Sequence, residues 1–126
     1  MKHLLTLSTL LLMTACGSLG NSPGSAPAKV QAGMLTNAAG MTLYVFDKDT
    51  ADSGKSVCNG DCAVKWPPLI AAAGDKAQGD YSIVTRDDGA RQWAFKGKPL
   101  YLWFKDQKPG DASGDGVNSV WHTAKP

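Results

Sequence analysis

At 126 residues, 43% of them hydrophobic and 19% charged, the chain is long enough for one small domain and its leader and too short for two full-sized ones. Its 13 Lys plus Arg stand against 11 acids, a near balance without the basic excess of nucleic-acid binding, so nucleic acid is not expected as a partner. Every acid is aspartate, a turn former, and glutamate, a helix former, is absent, so a turn-rich fold with little helix is expected.

The chain opens on a short basic region, Met1-Lys2-His3, followed by an apolar run from Leu4 to Met13 that is too short to cross a bilayer. The run closes on Met13-Thr14-Ala15-Cys16, which resembles a bacterial lipoprotein signal: small residues ahead of a cysteine that becomes the acylated N-terminus. Residues 1–15 are then the signal peptide and Cys16 the lipidation site. Each acyl chain holds the membrane by about 0.8 kcal/mol per buried methylene. Gly17, rather than aspartate, follows the cysteine, which favours the outer over the inner membrane in a Gram-negative envelope. Residues 16–29 are rich in Gly, Ser, Pro, Ala and Asn and form a tether, leaving 30–126 as a single domain.

Within the domain, Met34 to Asn37 and Met41 to Asp47 predict a hairpin across the turn Ala38-Ala39-Gly40, with Leu43 and Val45 on one face and Tyr44 and Phe46 on the other. A polar loop leads into Cys58-Asn-Gly-Asp-Cys62. Asp61 is placed to cap a short helix from Cys62 to Trp66, stopped by Pro67 and Pro68. Leu69 to Ala73 fits helix or buried strand equally. Tyr81 to Thr85, Arg91 to Lys96 and Pro99 to Phe104 predict a three-strand meander, and Val117 to Thr123 a closing strand.

The stretch Gly40-Met-Thr-Leu-Tyr-Val-Phe-Asp-Lys-Asp49 recurs as Gly97-Lys-Pro-Leu-Tyr-Leu-Trp-Phe-Lys-Asp106. Gly, Leu, Tyr, an aromatic and Asp coincide at constant offset, so one structural unit occurs twice, over about 33–70 and 80–123. The fold expected is mainly β: a small antiparallel fold of two pseudo-repeated hairpin and meander halves packed face to face, with at most one or two short helical turns. Tyr44, Phe46 and Asp49, with Tyr101, Trp103 and Asp106, resemble the Tyr-x-(Phe/Trp/Tyr)-x-x-Asp motif of a bacterial lipoprotein family also described as a secreted repeat of unknown function. Cys58, Cys62, the run from Ala63 to Leu69 and Lys108-Pro-Gly-Asp111 are similar to that family too. The resemblance implies architecture and an extracytoplasmic location, and no activity.

Once Cys16 is acylated, Cys58 and Cys62 remain as an even pair, expected to be oxidised outside the cytoplasm. As a staple over so small a loop the bond contributes about 1–2 kcal/mol; the alternative is a redox or metal-binding pair joined by His122. The loop Asp111-Ala-Ser113-Gly-Asp115-Gly116 resembles the first half of a calcium loop, with His122 standing where a bidentate glutamate is required. Tyr44, Phe46, Tyr101 and Trp103 fill the interface between halves or line a ligand groove, with Asp49 and Asp106 fixing the loops behind them. No Gly-x-Ser-x-Gly elbow, zinc-protease motif or phosphate loop is present, and no cofactor is implied. The function expected is a non-enzymatic, lipid-anchored envelope protein that binds an envelope protein or small ligand; the alternative is a metal- or redox-linked periplasmic protein.

Overall fold

The computed structural model describes residues 25–126, so the expected signal peptide, Cys16 and the expected tether as far as residue 24 lie outside the described residues. In chain order the elements are β1 (Lys29–Gln31), β2 (Met34–Thr36), β3 (Tyr44–Phe46), α1 (Asp61–Lys65), β4 (Tyr81–Thr85), β5 (Arg91–Phe95), β6 (Lys98–Pro99), a 3₁₀ turn at Val117–Ser119, and β7 (Trp121–Thr123). They form three antiparallel sheets, β1-β2, β3-β7 and β4-β5-β6.

The halves are hydrogen-bonded to each other, not merely packed face to face. Tyr44 N–H donates to the Tyr101 carbonyl at 2.8 Å and Tyr101 N–H donates to the Tyr44 carbonyl at 2.9 Å. The same repeat position thus pairs with itself, which places a pseudo-two-fold axis between the tyrosines. On its other side Tyr44 pairs with Thr123 of the second half, and Tyr101 bridges to Pro68 of the first. Three further bonds repeat the pattern: Leu35 to Ala124, Ala124 to Leu43 and Leu43 to Leu35 in one half are matched by Trp93 to Leu69, Leu69 to Leu100 and Leu100 to Trp93 in the other. Each half therefore closes its ladder with a segment from the partner half.

Strand alternation sorts the side chains onto two sides of this ladder. Leu35, Leu43, Trp93, Leu100, Ala71 and Ala124 make one core, joined by Val45 and Leu102. Tyr44, Phe46, Trp66, Tyr101, Trp121 and Cys58 make the other, joined by Trp103. The aromatic core is a column: Trp103 lies 3.9 Å from Trp66, Trp66 is stacked 3.7 Å from Trp121, and Trp121 is stacked 4.2 Å from Phe46 between ring centroids. Tyr44 meets Trp66 edge-on at 5.4 Å, and Tyr101 meets Trp121 edge-on at 5.1 Å.

Several elements differ from expectation because the chain changes partners. Lys29, assigned to the tether, begins β1, which pairs with β2; the expected hairpin across Ala38-Ala39-Gly40 is formed as well, through Asn37 N–H to the Met41 carbonyl, Leu43 N–H to the Leu35 carbonyl and the Thr36–Thr42 bridge. The expected strand Pro99 to Phe104 shrinks to β6, because from Tyr101 the backbone leaves the meander to bond Tyr44 and then Pro67. Gly60, not Asp61, is the N-cap of α1, and Asp61 is its first residue. Of Leu69 to Ala73, the part from Leu69 to Ala71 is extended and the rest turns: Leu69 bonds Leu100, Ala71 bonds Arg91, Ile70 bridges Gln92, and Asp75 N–H closes on the Ala72 carbonyl. Of the closing strand only β7 is formed, since left-handed Gly116, Asn118 and Ser119 coil the chain before it.

Gly114 shows how tightly the column is closed. A Cβ there would stand 2.9 Å from Trp103 Cγ, from Trp66 Cη2 and from Tyr44 Cε1, and Gly114 is not among the left-handed glycines, so the demand is steric. Rings packed on three sides leave a methyl group nowhere to go. Gly114→Ala is expected to destabilise the domain by about 1–3 kcal/mol, read as a lower urea midpoint at unchanged slope. An unchanged midpoint would mean that the column yields.

Candidate functional site

The motif tyrosines and aspartates bond across the axis. Tyr101 Oη donates to Asp49 Oδ2 at 2.5 Å, and Tyr44 Oη donates to Asp106 Oδ2 at 2.5 Å. The other oxygen of each carboxylate holds the loop that follows it: Asp49 Oδ1 accepts from Val57 N–H at 2.8 Å, and Asp106 Oδ1 accepts from Ser113 N–H at 3.1 Å and from its hydroxyl at 2.7 Å. Burial, and then the bond to a carboxylate, push both phenols well above their ordinary pKa. They are locked in the neutral, donating form.

Around Tyr101 the network extends further. The phenol proton is engaged with Asp49, so the 2.6 Å contact between Ser56 Oγ and Tyr101 Oη has serine as donor. Ser56 Oγ in turn accepts from Arg86 Nη1 at 2.9 Å. Arg86, only 3% exposed, also donates to Gln92 Oε1, to Asn59 Oδ1 and to the Cys58 carbonyl. Burying a lone charge is costly; here the Asp49 carboxylate and the Arg86 guanidinium balance one another through Tyr101 and Ser56. The Tyr44 network uses Gly114 N–H, at 3.2 Å, at the place of the Ser56 hydroxyl, and no arginine joins it.

Cys58 and Cys62 are bonded to each other. Cys58 is fully buried in the aromatic core, while Cys62, half-buried, lines a cleft of about 420 Å3. The cleft opens between α1 and the Val117–Ser119 turn, the segments that precede Trp66 and Trp121. Its floor is made by Phe46, Trp66 and Trp121, the two indoles each having a ring stacked or tilted against both faces, and its rim carries Lys48, Asp61, Lys65 and Asn118. A second hollow of about 910 Å3, beside Leu69, Ile70 and Trp93, has Asp75 accepting from Ala72 N–H and Gln78 donating to the Ser25 carbonyl on its rim, and the Lys76 ammonium without a partner among the described residues.

The residues of the calcium-like loop do not converge, which corrects that reading. Asp111 Oδ2 accepts from Gln107 and Lys108 N–H groups, which, with the Lys108 side chain, hold its carboxyl below the ordinary value. Ser113 is bonded to Asp106, Asp115 accepts from Thr123 N–H, and His122 Nε2 lies 2.7 Å from Asp47 Oδ2. Among the described residues no three His, Cys, Asp or Glu side chains are grouped to hold a metal. Those aspartates serve turns, as their short acceptors allow. Arg86, Ser56, Lys48, Lys65 and Asn118 were not singled out from sequence. Ser56 and Ser113 stand at the same distance behind Asp49 and Asp106, a signal that the repeat carries; nothing local marks the others.

A family described as a secreted repeat of unknown function matches residues 28–70 and again 82–125. No curated protein and no solved structure matches the chain.

The two networks differ in burial, so they differ in sensitivity. Asp49 is 2% exposed and Asp106 is half-buried. Tyr101→Phe, which leaves a buried carboxylate short of a donor, is expected to cost about 1–3 kcal/mol, and Tyr44→Phe less, since water reaches Asp106. Equal costs in urea denaturation would contradict the asymmetry. Because both folded phenols titrate above the unfolded value of about 10, their stabilisation is complete below that pH and declines as pH rises beyond it, by about 1.4 kcal/mol per pH unit for each tyrosine. Either phenylalanine variant should remove its share of that alkaline slope.

Proposed function

The chain belongs to the family of secreted repeats of unknown function, and from that premise we propose that it is a lipid-anchored protein of the cell envelope whose β domain is a non-enzymatic binding module. Among the described residues no helix is long and apolar enough to cross a membrane, which fits attachment through acyl chains on Cys16. Residue 17 is glycine, which favours the outer membrane in a Gram-negative host. One observation carries the binding reading. The motif groups Tyr44, Asp49, Tyr101 and Asp106 are engaged with one another, and His122 with Asp47, whereas the polar groups around the cleft of α1 are not engaged within the fold. Motif tyrosines and aspartates that satisfy one another, beside a cleft whose polar rim is open, are suited to holding a ligand or a partner there.

A redox-linked role for the cysteine pair is the second reading. It is favoured by Cys62 lining the cleft while the Cys58 carbonyl and amide join the Arg86 and Ser56 network, so that breaking the bond would disturb both. Thiol titration of protein taken from the envelope separates the two. Full oxidation fits a staple, and a reducible fraction that changes with growth conditions fits a switch.

For the anchor, Cys16→Ser is expected to move the protein from the membrane to the soluble fraction, with loss of acyl-chain labelling. Continued membrane retention without acylation would defeat the lipoprotein assignment.

A further inference from the structure

The polar side chains of the cleft rim are free to meet a ligand. Lys48, Asp61, Lys65 and Asn118 make no hydrogen bond or ion pair with any described residue; the ion pairs among the described residues are Lys55–Asp87, Lys108–Asp111 and His122–Asp47. Asp61 and Lys65 are four apart on α1, a spacing at which opposite charges commonly pair, yet these two do not. The rim thus carries two ammonium groups against one carboxylate.

The floor adds the same sign. Trp121 lies between Phe46 and Trp66, and Trp66 between Trp121 and Trp103, so the two indoles turn edges rather than faces to the cleft, and aromatic edges are the positive part of the quadrupole. Stacking a sugar or a flat cofactor on an indole face is therefore not available here. The backbone at the far wall is held out of its preferred region: Asn118 at φ 51° and Ser119 at φ 60° are consecutive left-handed residues without glycine. Such conformations persist where the surroundings impose them and gather at binding sites. The volume, about 420 Å3, falls near the lower end of the ligand-pocket range of about 300–1,000 Å3.

Resting on the binding reading above, we propose that this cleft holds a small hydroxylated organic anion of the acidic-sugar class, its acid group between Lys48 and Lys65 and its hydroxyls on Asp61 and Asn118. The two ammonium groups and the ring edges attract the acid. Asp61, an acceptor, and Asn118, donor and acceptor, match neutral hydroxyls. Inorganic phosphate carries a hydroxyl only on the charged centre itself, so it cannot set its charge between the lysines and separate hydroxyls on Asp61 and Asn118 as an acidic sugar can.

Titration of the disulfide-intact domain with D-glucuronate, D-glucose, inorganic phosphate and free lysine tests this, read by tryptophan emission, since Trp66 and Trp121 line the cleft, and by calorimetry. The expected result is saturable binding of glucuronate, weakened at least tenfold for glucose and phosphate, absent for lysine, and reduced by added salt. Lys48→Met and Lys65→Met are exposed changes that should keep the thermal midpoint while each weakens glucuronate about tenfold or more. Tighter binding of glucose, phosphate or lysine would overturn the ligand class and leave the cleft as a site, whereas wild-type affinity in both lysine variants would place the binding elsewhere and overturn the site. Silence from all four probes would overturn the ligand class and the cleft reading together.

Discussion

Everything in this domain depends on one backbone contact, the reciprocal pair of hydrogen bonds between Tyr44 and Tyr101. Two copies of a strand can exchange bonds at the same position only about a two-fold axis. That axis sends both phenols to one side of the ladder and Leu43 and Leu100 to the other. It also brings the aspartate of each copy within reach of the tyrosine of the other, since each lies three residues beyond the next aromatic and the strands run antiparallel. Neither half satisfies its own tyrosine. Phe46 and Trp103 likewise end a column whose middle, Trp66 against Trp121, is shared. The tandem repeat in a single chain is thus a structural necessity: half of it would expose a phenol, a carboxylate and an indole face.

On this symmetric frame the halves diverge in what covers it. The first carries the disulfide loop, which Arg86 grips through the Cys58 carbonyl and Asn59. The second has the Gly114 backbone pressed against three rings instead. Arg86 has no carboxylate partner of its own, so its burial relies on the chain through Ser56 and Tyr101 to Asp49. A change at any member is felt at the others, because the interior that strengthens each bond also raises the cost of leaving one open. The cleft lies where the two coverings meet, between α1 and the turn before Trp121.

Legibility followed the range of the interaction. The repeat, the alternation of Leu and Tyr and the turn-rich β character are written in neighbouring residues, and the two cores fell on the two faces that alternation assigned. The cysteine pair was legible from spacing and compartment, and the structure joins it. Strand ends were not legible, because Tyr101 leaves the meander for a partner far away in sequence. The Asp111 loop looked like an ion site because turns and calcium loops draw on the same residues, and only the N–H groups facing each carboxylate told them apart.

By itself, then, the sequence determined that one unit is used twice, which face of each strand is aromatic, and where an acylated cysteine is to be sought, because periodicity and short motifs report local geometry. Only the tertiary structure decided that the halves exchange their tyrosine and aspartate partners, that Arg86 is buried in balance with Asp49, and that Lys48, Asp61, Lys65 and Asn118 share one rim. Those facts depend on which distant segments meet at the axis, and a surface lysine is written the same way whether it faces open water or a cleft floored with ring edges.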